Sequence, residues 1–160
     1  MEKLEVFAIY NVECIGKDGK VKWSDKFRNL IPTVGKNKIL DSVFNGNAVT
    51  SWYVGLKNDG AAANGDTMAS HSGWNELTPY SDGTRKALTL GSISGGSVSN
   101  TASKASFAIN ATASVGGAFV SDNDTKGGST GTLLSAGNFA EAKSVEDGDT
   151  LNVTVTFNVS

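Results

Sequence analysis

The segment LNVTVTFNV, residues 151–159, restricts the possible folds more than any other part of the chain. Leu151, Val153, Val155, Phe157 and Val159 lie on one side of an extended strand, and Asn152, Thr154, Thr156 and Asn158 on the other, because successive side chains point to opposite faces. A strand with one dry face and one wet face needs a second layer to cover the dry side. The runs KALTLGSI, KASFAIN, VGGAFV and TLLSAGNF predict further short strands, separated by turn clusters such as SGGS and DNDTKGGSTG. The 19 glycines and only 2 prolines suit many tight turns. This pattern predicts a mainly β, single-domain antiparallel β-sandwich, jelly-roll-like, with one short helix, spanning residues 1–160.

Near the N-terminus, EVFAIYNVECI and VKWSDKF flank KDGK, and Asp18-Gly19 predicts a type I′ hairpin. That turn sets Cys14 opposite Trp23, Val12 opposite Asp25 and Tyr10 opposite Phe27. Asp25 is out of place on this apolar face, so it should sit at an edge or meet a partner. The single helix is expected from Thr33, as its cap, to Gly46, as its stop. Ile39, Leu40, Val43 and Phe44 cluster on one side of it, and it should plug one end of the β structure. TSWYVGL reads as a buried strand, and residues 57–84 form a connection too long to lack internal order.

Chemistry is hard to find in these residues. Cys14 is the only cysteine, so an intrachain disulfide and a cysteine-based zinc site are both excluded. His71 is the only histidine, and no serine lies in a nucleophile-elbow setting. Asp122-x-Asp124 resembles the start of a calcium loop, but Lys126 and Leu133 stand where ligands are needed. The expectation is no catalytic residue, no cofactor and no metal. With 14 basic and 16 acidic residues the chain lacks the field that nucleic acid or an anionic membrane would demand, and no apolar run is long enough to span a bilayer.

Two segments are candidates for contact with a partner. Residues 1–9 read as an N-terminal arm whose Leu4, Val6 and Phe7 could add to a neighbour. DTMASHSGWNEL, within the long connection, carries His71 and Trp74, read either as an ordered loop around a tryptophan anchor or as a contact surface.

Taken together, KDGKVKW, NLIPTVGKNKILD, WYVGL, DTMASHSGWNELTPY, SGGSVSNTASKASFAIN and DGDTLNVTVTF are similar to a family of small virion proteins of tailed bacteriophages, from about residue 10 to the end. The resemblance implies a non-enzymatic structural protein, made in the bacterial cytoplasm and placed on the capsid surface of the virion. The role expected is capsid decoration or cement, with the major capsid protein as partner and self-association, for instance as a trimer. The alternatives are a tail, neck or head-fibre component, or a carbohydrate- or host-binding module with Trp52 or Trp74 as its stacking platform.

Overall fold

A computed structural model describes residues 2–160. Ten strands and one helix run in the order β1 (Val6–Ile15), β2 (Val21–Arg28), α1 (Thr33–Phe44), β3 (Tyr53–Lys57), β4 (Glu76–Leu77), β5 (Lys86–Ala87), β6 (Ser97–Ser99), β7 (Ala105–Ala108), β8 (Ala113–Ser121), β9 (Leu133–Val145) and β10 (Thr150–Val159). They form two antiparallel sheets, one ordered β2-β1-β10-β6 with β7 also on β10, the other β4-β3-β8-β9 with β5 also on β3. The result is a β-sandwich. Its core is filled by the inward sets Tyr10, Val12 and Cys14 of β1, Leu151, Val153 and Val155 of β10, and Val54, Leu56, Ala118 and Val120 of the facing sheet. Phe157 and Val159 continue the alternation of β10 toward a more open end, where Val159 is exposed.

Strands β1 and β2 pair as their alternation requires: Tyr10 with Phe27, Val12 with Asp25, Cys14 with Trp23. The turn itself differs from type I′. Only Gly19 has a positive φ, at 78°, and its amide donates to the Gly16 carbonyl. Asp18 instead uses its carboxylate to accept the Lys20 amide at 3.0 Å, and the extra residue appears as a register shift after Cys14. β2 is an edge strand, and Asp25 meets Lys143 of β9 at 3.4 Å. That contact, the bond from Trp23 Nε1 to the Ser144 carbonyl, and the edge-on packing of Phe139 against Phe27 draw the two sheets together along this side.

β10 has two short partners in succession, β7 on residues 150–153 and β6 on 156–158. The turn between them leaves a rung empty, and the buried Asn100 fills it with its side chain. Its Nδ2 donates to the Val153 carbonyl at 3.1 Å, and its Oδ1 accepts the Val155 amide at 2.7 Å. At the other margin β1 pairs with β10 to their ends, and Glu5 and Ser160 exchange two backbone hydrogen bonds.

The helix lies differently from expectation. Pro32 occupies the N-cap position, and no side chain, Thr33 included, caps the first turn. Gly35 sets the orientation of the helix. A side chain there would strike the Leu134 carbonyl, so its absence lets the helix backbone rest directly on β9. One turn later Ile39 meets the core, while Leu40, Val43 and Phe44 are turned outward. The apolar side of α1 is therefore an outer surface rather than a plug.

Asp149 fastens the turn before β10. Its carboxylate is almost wholly buried and accepts the Lys22 ammonium and the Glu146 amide, each at 2.9 Å. Burial alone would raise its pKa, but these two bonds outweigh it and hold the carboxyl below its ordinary value of 3.8. A folded-state pKa below the unfolded one gives stability that is present above pH 3.8 and is lost as the pH falls beneath it. Asp149→Asn is therefore expected to lose about 1–3 kcal/mol at neutral pH. The gap to the unmodified protein should close in acid, as measured by urea unfolding across pH.

Candidate functional site

The long connection after β3 is a folded layer. Residues 58–75 lie over the outer face of the β3-β8-β9 sheet, where Met68 and Trp74 join Phe119, Leu133 and Ala136 in a second small core. The Trp74 indole is 2% exposed, tilted against Phe119 at 5.3 Å, and donates through Nε1 to Asp66 Oδ2 at 2.9 Å. His71 stacks on it with ring centres 3.9 Å apart, and its Nδ1 lies 2.9 Å from the Trp74 carbonyl. The aromatic pair thus organises the loop around itself. His71 has a backbone carbonyl as partner rather than a nucleophile, and Trp74 has no free face on which a sugar could stack. Glu76, next along, forms a buried bidentate pair with Arg85, whose remaining donors reach the carbonyls of Asn123 and Gly128. The loop at 122–131, compared above with a calcium site, is closed by that guanidinium. Among the described residues no cluster of three His, Cys, Asp or Glu could hold a metal ion.

Cys14 is equally enclosed. Burial first, and the neighbouring Asp149 second, push its thiol up to about 11, far from the thiolate form that reacts.

The N-terminal candidates separate. Leu4 is 72% exposed, as an arm residue would be. Val6 and Phe7 are not part of a free arm: they open β1, paired with Val159 and Asn158, and Ala8 next to them is fully buried. The reading of residues 1–9 as an arm is therefore corrected: β1 begins at Val6, and Glu5 before it already exchanges backbone hydrogen bonds with Ser160. The β pattern is obscured there because Glu5 and Phe7 fall on the outer face, where Arg28 covers the Phe7 ring and pairs with Glu5.

What the sequence did not reveal is the end of the sandwich beside α1. Val43 and Phe44 are 67% and 78% exposed, and Val159, which shares a groove with Val43, is exposed as well. Between the helix and the sheet margin runs a groove of about 350 Å³, lined by Val6, Ile39, Trp52, Leu90, Phe157 and Val159. Lys38 and Asp41 form an ion pair on the same helix, and Lys38 reaches the groove's rim. Exposed apolar side chains of the helix thus border an apolar groove at this end of the sandwich. The sequence signal was Gly35, whose place four residues before Ile39 selects the face that rests on the sheet.

Among the described residues no helix is long and apolar enough to cross a membrane. A search of curated proteins gives no match. Residues 31–157, most of the sandwich together with α1, match the family described as podophage GP4 fiber I protein gp80. The chain belongs to that family of phage virion structural proteins.

Proposed function

We propose that this protein is a non-enzymatic building block of the phage fiber, assembled by contact between copies through the apolar end beside α1. The observation that carries this reading is the coincidence on one end of a protruding apolar set, Leu40, Val43 and Phe44, and an open apolar groove. A surface bearing both is complementary to itself, as a two-fold contact requires. Lys38 and Asp41 add opposite charges along the same helix, so antiparallel helices from two copies would meet plus to minus. Without such cover these side chains would leave a wet apolar patch on every copy. The family description favours a fiber over capsid decoration, in which the same end would face the major capsid protein instead.

Two measurements test it. Leu40→Glu with Phe44→Glu alters only exposed positions, so the fold should keep its stability to within about 0.5 kcal/mol. The variant should be monomeric in light scattering where the unmodified chain associates, and it should be missing from assembled particles. An unmodified chain that stays monomeric at high concentration would refute the contact. The copy number in purified particles addresses the location: a fiber part is present in few copies, whereas a shell-coating protein reaches on the order of hundreds.

A further inference from the structure

Lys57 has no role in that surface, yet it is one of the most enclosed side chains in the molecule. It ends β3, and its backbone pairs with Gly117 of β8, which in turn pairs with Asn138 of β9. The three residues stand in a row across the sheet with glycine in the middle. The lysine side chain crosses β8, and its Nζ lies 2.8 Å from Asn138 Oδ1. The other acceptors around Nζ are the carbonyls of Gly60, at 2.6 Å, and Asn58, at 3.0 Å. No ion pair among the described residues includes Lys57. On the far side of the contact the Asn138 carboxamide is fixed as well, its Nδ2 donating to the carbonyls of Asp59 at 2.9 Å and Gly60 at 3.1 Å. An enclosed amine is thus held against an immobilised amide, beneath the Trp74 ring.

We propose that Lys57 and Asn138 condense into an intramolecular isopeptide bond, the lysine amine displacing ammonia from the asparagine side chain. A bond forms between Nζ and Cγ of Asn138, and the bond from Cγ to Nδ2 breaks. Starting from the ammonium form, Nζ sheds two protons. One goes to the leaving nitrogen to give ammonia, and the other converts that ammonia to ammonium as it escapes to water. No oxidant, metal or other reactant takes part.

Three features favour the step. Holding the two groups in contact removes the entropic cost of an encounter, which is worth many orders of magnitude in rate for well-oriented neighbours. Desolvation makes the amine nucleophilic: burial outweighs the nearby charges of Asp59 and Asp66 and pushes Lys57 down to about 8, so the neutral amine is well populated in mildly alkaline solution. Finally, a buried ammonium with only carbonyl partners is an unfavourable state, and the reaction replaces it with a neutral amide while the charge leaves for solvent. The product would tie β3 to β9 across positions 81 residues apart in sequence.

The test is the mass of the full chain after purification and after incubation at pH 9. The expected result is a loss of about 17 Da, one ammonia, with trypsin failing to cut after Lys57 and a branched peptide joining residue 57 to residue 138. Asn138→Ala and Lys57→Arg should both keep their full mass, and Lys57→Arg should melt at a lower temperature than the linked protein. Cyclisation at Asn45-Gly46 or Asn64-Gly65 would give the same mass loss, but with normal cleavage after Lys57. That outcome, or an unchanged mass after the alkaline incubation, would overturn the proposal.

Discussion

Alanine in place of Trp74 is expected to destabilise the protein by about 3–5 kcal/mol, among the largest losses any single side chain here can produce. The indole joins three parts of the structure. It fills the second core with Met68 and Phe119, it carries the His71 ring on its face, and it anchors Asp66 through Nε1. Removing it empties a large volume that backbone cannot refill, because Gly60 and Gly73 already lie in direct backbone contact. The Asp66 carboxylate, 8% exposed, would keep only the Ala63 amide at 2.8 Å. The loss should concentrate in residues 58–75, so proteases should nick that segment in the variant well below its global melting temperature. Urea unfolding and timed trypsin digestion measure the two effects. A variant within 1 kcal/mol of the parent, with the segment still resistant, would show that the layer does not depend on its tryptophan.

Arg85→Ala should be comparably severe, at about 3–5 kcal/mol, for an electrostatic reason. The guanidinium is fully enclosed and Glu76 nearly so, with Nη2 to Oε2 at 2.7 Å and Nε to Oε1 at 2.9 Å. Loss of the arginine strands a buried carboxylate and frees two loop carbonyls, those of Asn123 and Gly128. Replacing both partners, Arg85→Met with Glu76→Leu, removes the stranded charge along with the pair. The double variant should therefore recover at least half of the single loss, a non-additivity that a double-mutant cycle in denaturant resolves. If the double variant proved as unstable as the sum of the singles, the two residues would act independently.

Both residues show where the sequence was readable and where it was not. The β1–β2 register and the faces of β10 could be inferred because each depends on strict alternation beside a turn, a local rule with few competing solutions. Asp25 could even be recognised as misplaced, and its lysine partner on β9 explains it. The orientation of α1 depended on a non-local fact, that the strand beneath leaves room for backbone only at Gly35. Four apolar residues on a short helix look the same whether they face inward or outward. The layer at residues 58–75 was hidden for a similar reason: Met68 and Trp74 follow no period, and their partner Phe119 sits on a face of β8 that the glycine-rich run VGGAFV does not announce. His71 and Trp74 could be singled out by composition, but only the fold shows that they serve each other. Lys57 and Asn138 carry no sequence signal of their meeting, because nothing in sequence links residues separated by two intervening strand pairings.

The meeting of Glu5 with Ser160 at the margin of the sandwich has a practical consequence. Val6 and Val159 belong to the groove, so a purification handle fused to either end would emerge over the surface through which copies are proposed to join. The tip at Asp18-Gly19 lies at the opposite end of β1, about 30 Å away at the rise of an extended strand. A handle or fluorophore inserted there would leave the groove unobstructed, and it is the sounder place from which to follow assembly.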